Sequence, residues 1–159
     1  MKALKIVQTV LLSFFGLVTV FMASSVIFDL FGIREKEGNY VLFIVYTNLI
    51  CGILYLLAAY TTWTKPKLSF KTLVVSLSLL IIAFVAFQFY IHNGGIHEEK
   101  TVKAMLFRIV FTAIMTGIGW LNLKKRNLIK EKYNKKNLFN YVSEYSQTYF
   151  HLTTFYRME

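Results

Sequence analysis

The stretch LSFKTLVVSLSLLIIAFVAFQFYI, residues 68–91, decides the fold. It carries a single charge, Lys71, and neither proline nor glycine. About 20 apolar residues in a helix suffice to cross a hydrocarbon core. A run of this length and purity is therefore expected to be a membrane-spanning helix. Working outward, three similar runs occupy residues 6–31, 40–63 and 102–123. Together they predict an all-α integral membrane protein: a four-transmembrane-helix antiparallel bundle over residues 1–123. A basic juxtamembrane segment and an amphipathic tail then fill residues 124–159.

Composition agrees with this reading. Apolar residues make up 56% of the chain and charged residues only 16%, well below the charged share of a soluble domain. The first run follows Lys2 and Lys5, as a secretory leader would. It continues apolar past Ala23-Ser24-Ser25 into Val26, Ile27 and Phe28, so an uncleaved first span is expected.

Orientation follows from the cations. With four spans both termini share a side, and that side collects Lys2, Lys5, Lys65, Lys67 and Lys71. It also holds the cluster Lys124, Lys125, Arg126, Lys130, Lys132, Lys135 and Lys136. The opposite side holds Arg34, Lys36, Lys100, Lys103 and Arg108, balanced by Asp29, Glu35, Glu37, Glu98 and Glu99. The positive-inside rule then places both termini in the cytoplasm, with a bacterial inner membrane as the expected location. The net charge of +10 is explained by topology and by attraction to anionic lipid at the cytoplasmic face, not by nucleic acid.

Small residues mark expected helix contacts, because close backbone approach drives packing in lipid. They fall at Thr9, Ser13, Gly16 and Ala23, then at Asn48, Gly52 and Ala59, then at Ala104, Arg108, Thr112 and Thr116. No span contains proline, so no sharp kink is expected. The outer loops at 32–35 and 92–99 share a short echo, Gly-Ile-Arg-Glu against Gly-Ile-His-Glu. In the tail, Leu138, Tyr141, Val142, Tyr145, Tyr149, Leu152 and Tyr156 recur at helical spacing. They predict an amphipathic helix lying at the cytoplasmic headgroup level.

Function is less legible. Cys51 stands alone, which removes thiol chemistry that needs paired cysteines. The chain has no phosphate-cradling glycine loop, no nucleophile elbow and no HExxH, and no span offers two histidines for haem. A non-enzymatic role is expected. Each span sends one strongly polar group into the outer half: Asp29, Asn48, Gln88 and Arg108. At ~1.5 Å per helical residue, Asn48 and Arg108 lie about 10 Å deep. A membrane arginine needs water or a partner. It either pairs with Asp29 as a structural clamp or floors an outward pocket as an anion receptor, with Asn48 and Gln88 orienting the ligand and Asp29 balancing charge. The loop ligands His92, His97 and Glu98 form a second candidate, for Zn or Cu, although their spacing matches no established metal motif. His97 and Glu98 placed above Arg108 and Asn48 would join the two sites. No cofactor is otherwise expected. The competing role is an accessory subunit of a larger membrane complex, with protein partners or a homo-oligomer.

Overall fold

The computed structural model describes residues 2–30 and 41–156 of the chain, with side chains through Ser146. The loop at 32–39 with Arg34, Glu35, Lys36 and Glu37, and the side chains of Tyr149, Leu152 and Tyr156, lie outside the described residues. Among the described residues the protein is all-helical: α1 (Lys2–Ile27), α2 (Leu42–Thr64), α3 (Pro66–His92) and α4 (Glu99–Tyr156). All four are long and apolar enough to cross a membrane. The chain divides into two compact units between Asn122 and Leu123.

Each boundary has a local cause. Past α1, Phe28 N–H still reaches Ser24 O at 2.9 Å, and Asp29 then adopts φ 55° and ends the helix. Aspartate is among the few residues that tolerate this left-handed geometry. Between α2 and α3 only Lys65 is non-helical. Its N–H closes α2 on Thr61 O at 2.9 Å, and Pro66 opens α3 at the first position. Proline suits that place, because its fixed φ is helical and its missing N–H had no partner to lose. At the end of α3, Gly94 takes φ 80° while Gly95 N–H bonds Tyr90 O at 3.0 Å, a glycine-based stop.

The sequence pattern ends the fourth span at residue 123. The helix that carries this run continues to Tyr156. After Gly119 there is no glycine or proline to stop it, and Lys, Leu, Glu and Arg are good helix formers.

In the first unit, one face of α1 is buried at Gln8, Leu12, Gly16, Thr19, Ala23 and Val26, the three-and-four spacing of a helix stripe. Leu12 packs with Cys51, Tyr55, Ala58, Ala59, Leu73, Leu80 and Met115 in the main core. A second cluster joins Val41, Ile44, Ala83, Phe87 and Met105, and a third joins Ala23, Val26 and Val45. The closest approach is at Gly16 and Gly52, where neither position has room for a methyl group.

Polar side chains in this core are tied to one another. Gln8 Nε2 donates to Met115 O at 3.3 Å, and Asn122 Nδ2 donates to Gln8 Oε1 at 2.9 Å. Tyr55 and Thr112 hydroxyls are hydrogen-bonded, and Thr112 also donates to Arg108 O at 2.7 Å. Ser69 Oγ donates to Ala58 O at 2.9 Å and lies 3.0 Å from Thr62 Oγ1. In an apolar interior such pairing removes the cost of leaving donors and acceptors unsatisfied.

Candidate functional site

A cavity of about 360 Å³ lies in the first unit between α1, α2 and the start of α4. Its lining is mixed, and Met22, Val26, Val41, Ile44, Val45 and Met105 supply the apolar part among the described residues. Arg108 and Asn48 supply polar groups in one part of the lining, and Glu98, Lys100 and Thr101 supply them nearer the start of α4. From Lys100 to Arg108 is about 12 Å along a helix. The cavity thus combines apolar side chains with a small number of polar and charged ones, as small-molecule sites do.

Arg108 is held in place without being neutralised. Its Nη1 donates to Thr19 Oγ1 at 3.2 Å, and the guanidinium carbon lies 5.7 Å from the centre of the Phe15 ring. Phe15 itself packs against Phe111 at 4.2 Å between ring centres. Cation–π contact of this kind steadies a guanidinium while leaving most of its five N–H donors available. Among the described residues no carboxylate lies within ion-pair distance of Arg108; the ion pairs there are Lys103–Glu99 at 3.7 Å and Lys135–Glu131 at 3.4 Å. In the same lining, Asn48 Oδ1 is buried without a hydrogen-bond partner among the described residues.

No known protein family, curated protein or solved structure matches the chain. The site is therefore described from its own geometry.

Of the four residues assigned to the pocket from sequence, Arg108 and Asn48 line one cavity. Gln88 is exposed and does not line it. The neighbouring Phe87 takes the inward position on α3, fully buried, and successive helical residues point about 100° apart. Asp29 is exposed, lies beyond the end of α1 and makes no ion pair with Arg108, so the clamp is not formed.

The loop candidates separate. Glu98 joins the cavity lining. His97 packs its ring edge-on against Phe87 at 6.0 Å, with Nδ1 3.1 Å from Gly95 O. His92 is exposed at the end of α3. Among the described residues no three of His, Cys, Asp and Glu gather closely enough to hold a metal ion.

Thr19 and Met105 belong to the site or its support but carried no functional signal in the sequence. Thr19 sits on the buried stripe of α1 between Gly16 and Ala23, which marks it as inward-facing. Nothing in its residue type tells that it meets Arg108. Met105 lies one turn before Arg108 and is 1% exposed.

Proposed function

We propose that this chain is a four-span protein of the bacterial inner membrane that binds a small anion with an apolar body. The helices alternate in direction, both termini are cytoplasmic, and the cavity opens to the outer side. The basic segment at 124–136 meets anionic lipid on the cytoplasmic face. Lipid as the solvent is supported by the surface of the first unit: Phe14, Ile82 and Phe89 are 68%, 66% and 67% exposed. An aqueous surface of that kind would promote association.

The observation that carries the binding function is the presence of Asn48, together with a guanidinium that has no ion pair among the described residues, in the lining of one cavity of about 360 Å³. Burying an uncompensated cation costs several kcal/mol in principle. A carboxylate or phosphate oxygen pair offsets that cost and fits the planar fork of arginine. The apolar part of the lining takes the body of the ligand. Glu98 and Lys100, of opposite sign, leave no net charge from that pair to reject the anion.

The test uses the full chain purified in nanodiscs and titrated by calorimetry with hexanoate, hexyl phosphate and methyl hexanoate. The two anions are expected to bind and the ester is not. Arg108→Lys should weaken binding by about tenfold or more through loss of the bidentate fork, while thermal unfolding stays close to the parent. Binding of the ester as tight as the anions, or anion binding indifferent to Arg108→Lys, would sink the proposal.

A further inference from the structure

We propose that residues 138–156 of α4 pair with the same residues of a second copy of this chain, as a short parallel coiled coil. Three observations support it. The first is that the backbone is helical throughout this stretch, to Tyr156. The second is spacing. Leu138, Val142, Tyr145, Tyr149, Leu152 and Tyr156 are separated by four, three, four, three and four residues. That is the a/d pattern of a heptad repeat, with Val142, Tyr149 and Tyr156 at a, and Leu138, Tyr145 and Leu152 at d. Leu138 and Val142, on this stripe, are 63% and 57% exposed.

The third observation is charge, and it decides between a second copy and a lipid surface. A helix that lies on an anionic bilayer carries lysine and arginine on its polar face, beside the apolar one. Here Lys136 lies before the stripe and the next cation, Arg157, lies after it. From 137 to 156 there is no lysine or arginine, and the single formally charged residue is Glu144. Residues opposite the stripe, such as Asn140, Ser143 and Gln147, are neutral and polar. Such a segment lacks the groups that hold phosphate headgroups and has the two-faced pattern that a partner helix covers. Upstream, Lys124, Glu131 and Lys135 fall on the continued a/d register, which confines the pairing to the last turns of the chain.

Three heptads make a weak zipper on their own, since short helices gain little from propensity alone. Membrane anchoring compensates. Two chains held in one bilayer meet at a high effective concentration, and copies inserted the same way up present their tails in parallel. Val142 at a and Leu138 and Leu152 at d are the residue types that favour a two-stranded parallel arrangement.

The experiment is thiol cross-linking of the full chain in vesicles, on a Cys51→Ala background. Leu138→Cys and Val142→Cys sit on the stripe; Asn140→Cys sits opposite it. Vesicles are made of phosphatidylcholine with and without phosphatidylglycerol. The two stripe positions are expected to form inter-chain disulfides in both membranes, at least about tenfold faster than Asn140→Cys, because an f position points away from the seam. Absence of links at 138 and 142, or equal rates at all three positions, overturns the proposal. So does shielding of 142 that appears only with phosphatidylglycerol, which would place the stripe on lipid. As a second measurement, native mass spectrometry of the chain carrying Val142→Asp should give single copies where the parent gives pairs, and persistent pairs would move the contact to the spans.

Discussion

Gly16 and Gly52 face each other with so little space that a methyl group on Gly16 would stand 3.1 Å from the carbonyl oxygen of Gly52. The reverse substitution is tighter: a methyl on Gly52 would lie 2.8 Å from Val20 Cγ2 and 3.1 Å from the Val20 backbone nitrogen. The second of these is backbone and cannot turn aside. Gly52→Val is therefore expected to force α1 and α2 apart and to destabilise the protein by about 1–3 kcal/mol. Gly117→Ala, where nothing lies within 4 Å of the added carbon, should be neutral or slightly stabilising. Reversible unfolding in mixed micelles would show the contrast, and equal effects at 52 and 117 would remove the close crossing.

The Gln8 side chain is the joint of a polar cluster at the other end of α1. Gln8→Leu leaves Asn122 Nδ2 without its acceptor, whereas Met115 O, inside α4, keeps its helical partner. A loss of about 1–3 kcal/mol is expected for stranding a buried polar group. Asn122→Leu on the same background should cost less than it does alone, since its acceptor has already gone. A double-mutant cycle measures that coupling, with a value of about 0.6 kcal/mol typical of hydrogen bonds in membranes. Strict additivity would mean that the pair contributes nothing.

Tyr55→Phe should be mild despite complete burial of the ring. Thr112 keeps its bond to Arg108 O, so no donor is stranded, and the ring still packs on Phe15 and Phe111. A cost of about 1 kcal/mol or less is expected. Calorimetric binding of hexanoate should be unchanged, because Tyr55 does not line the cavity.

Gly95 lies against the Tyr90 ring, with ring carbons where a Cβ would stand. Gly95→Ala must displace Tyr90, whose hydroxyl donates to Ile96 O at 3.4 Å, and so disturbs the turn that carries Glu98 to the cavity. Weaker anion binding with nearly normal folding is expected. Gly94→Ala acts through backbone alone, at φ 80°, and should cost about 1 kcal/mol of stability. Calorimetry and unfolding on the same two variants would separate these effects.

Much of the architecture was legible because four long apolar runs are plain in the chain, and each became a helix long and apolar enough to cross a membrane. Asn48 and Arg108 were legible as neighbours through their matching depth on two spans. Rotation about the helix axis was not. Gln88 has suitable depth but stands one residue from the buried Phe87, and only the packing of Phe87 with Val41, Ile44, Ala83 and Met105 shows which of the two turns inward. Asp29 was read as the polar group at the outer end of the first span, and it lies two residues past the end of α1 in left-handed geometry, at φ 55°. The continuity of α4 to Tyr156 was not legible, because a change from apolar to basic composition need not end a helix.

Lys65 is the single non-helical residue between α2 and α3. A connection this short has no slack, so the two helices cannot move apart at that end without unwinding a helical turn. With the Thr62 and Ser69 hydroxyls 3.0 Å apart beside the bend, α2 and α3 form one mechanical unit, a hairpin that must shift as a whole.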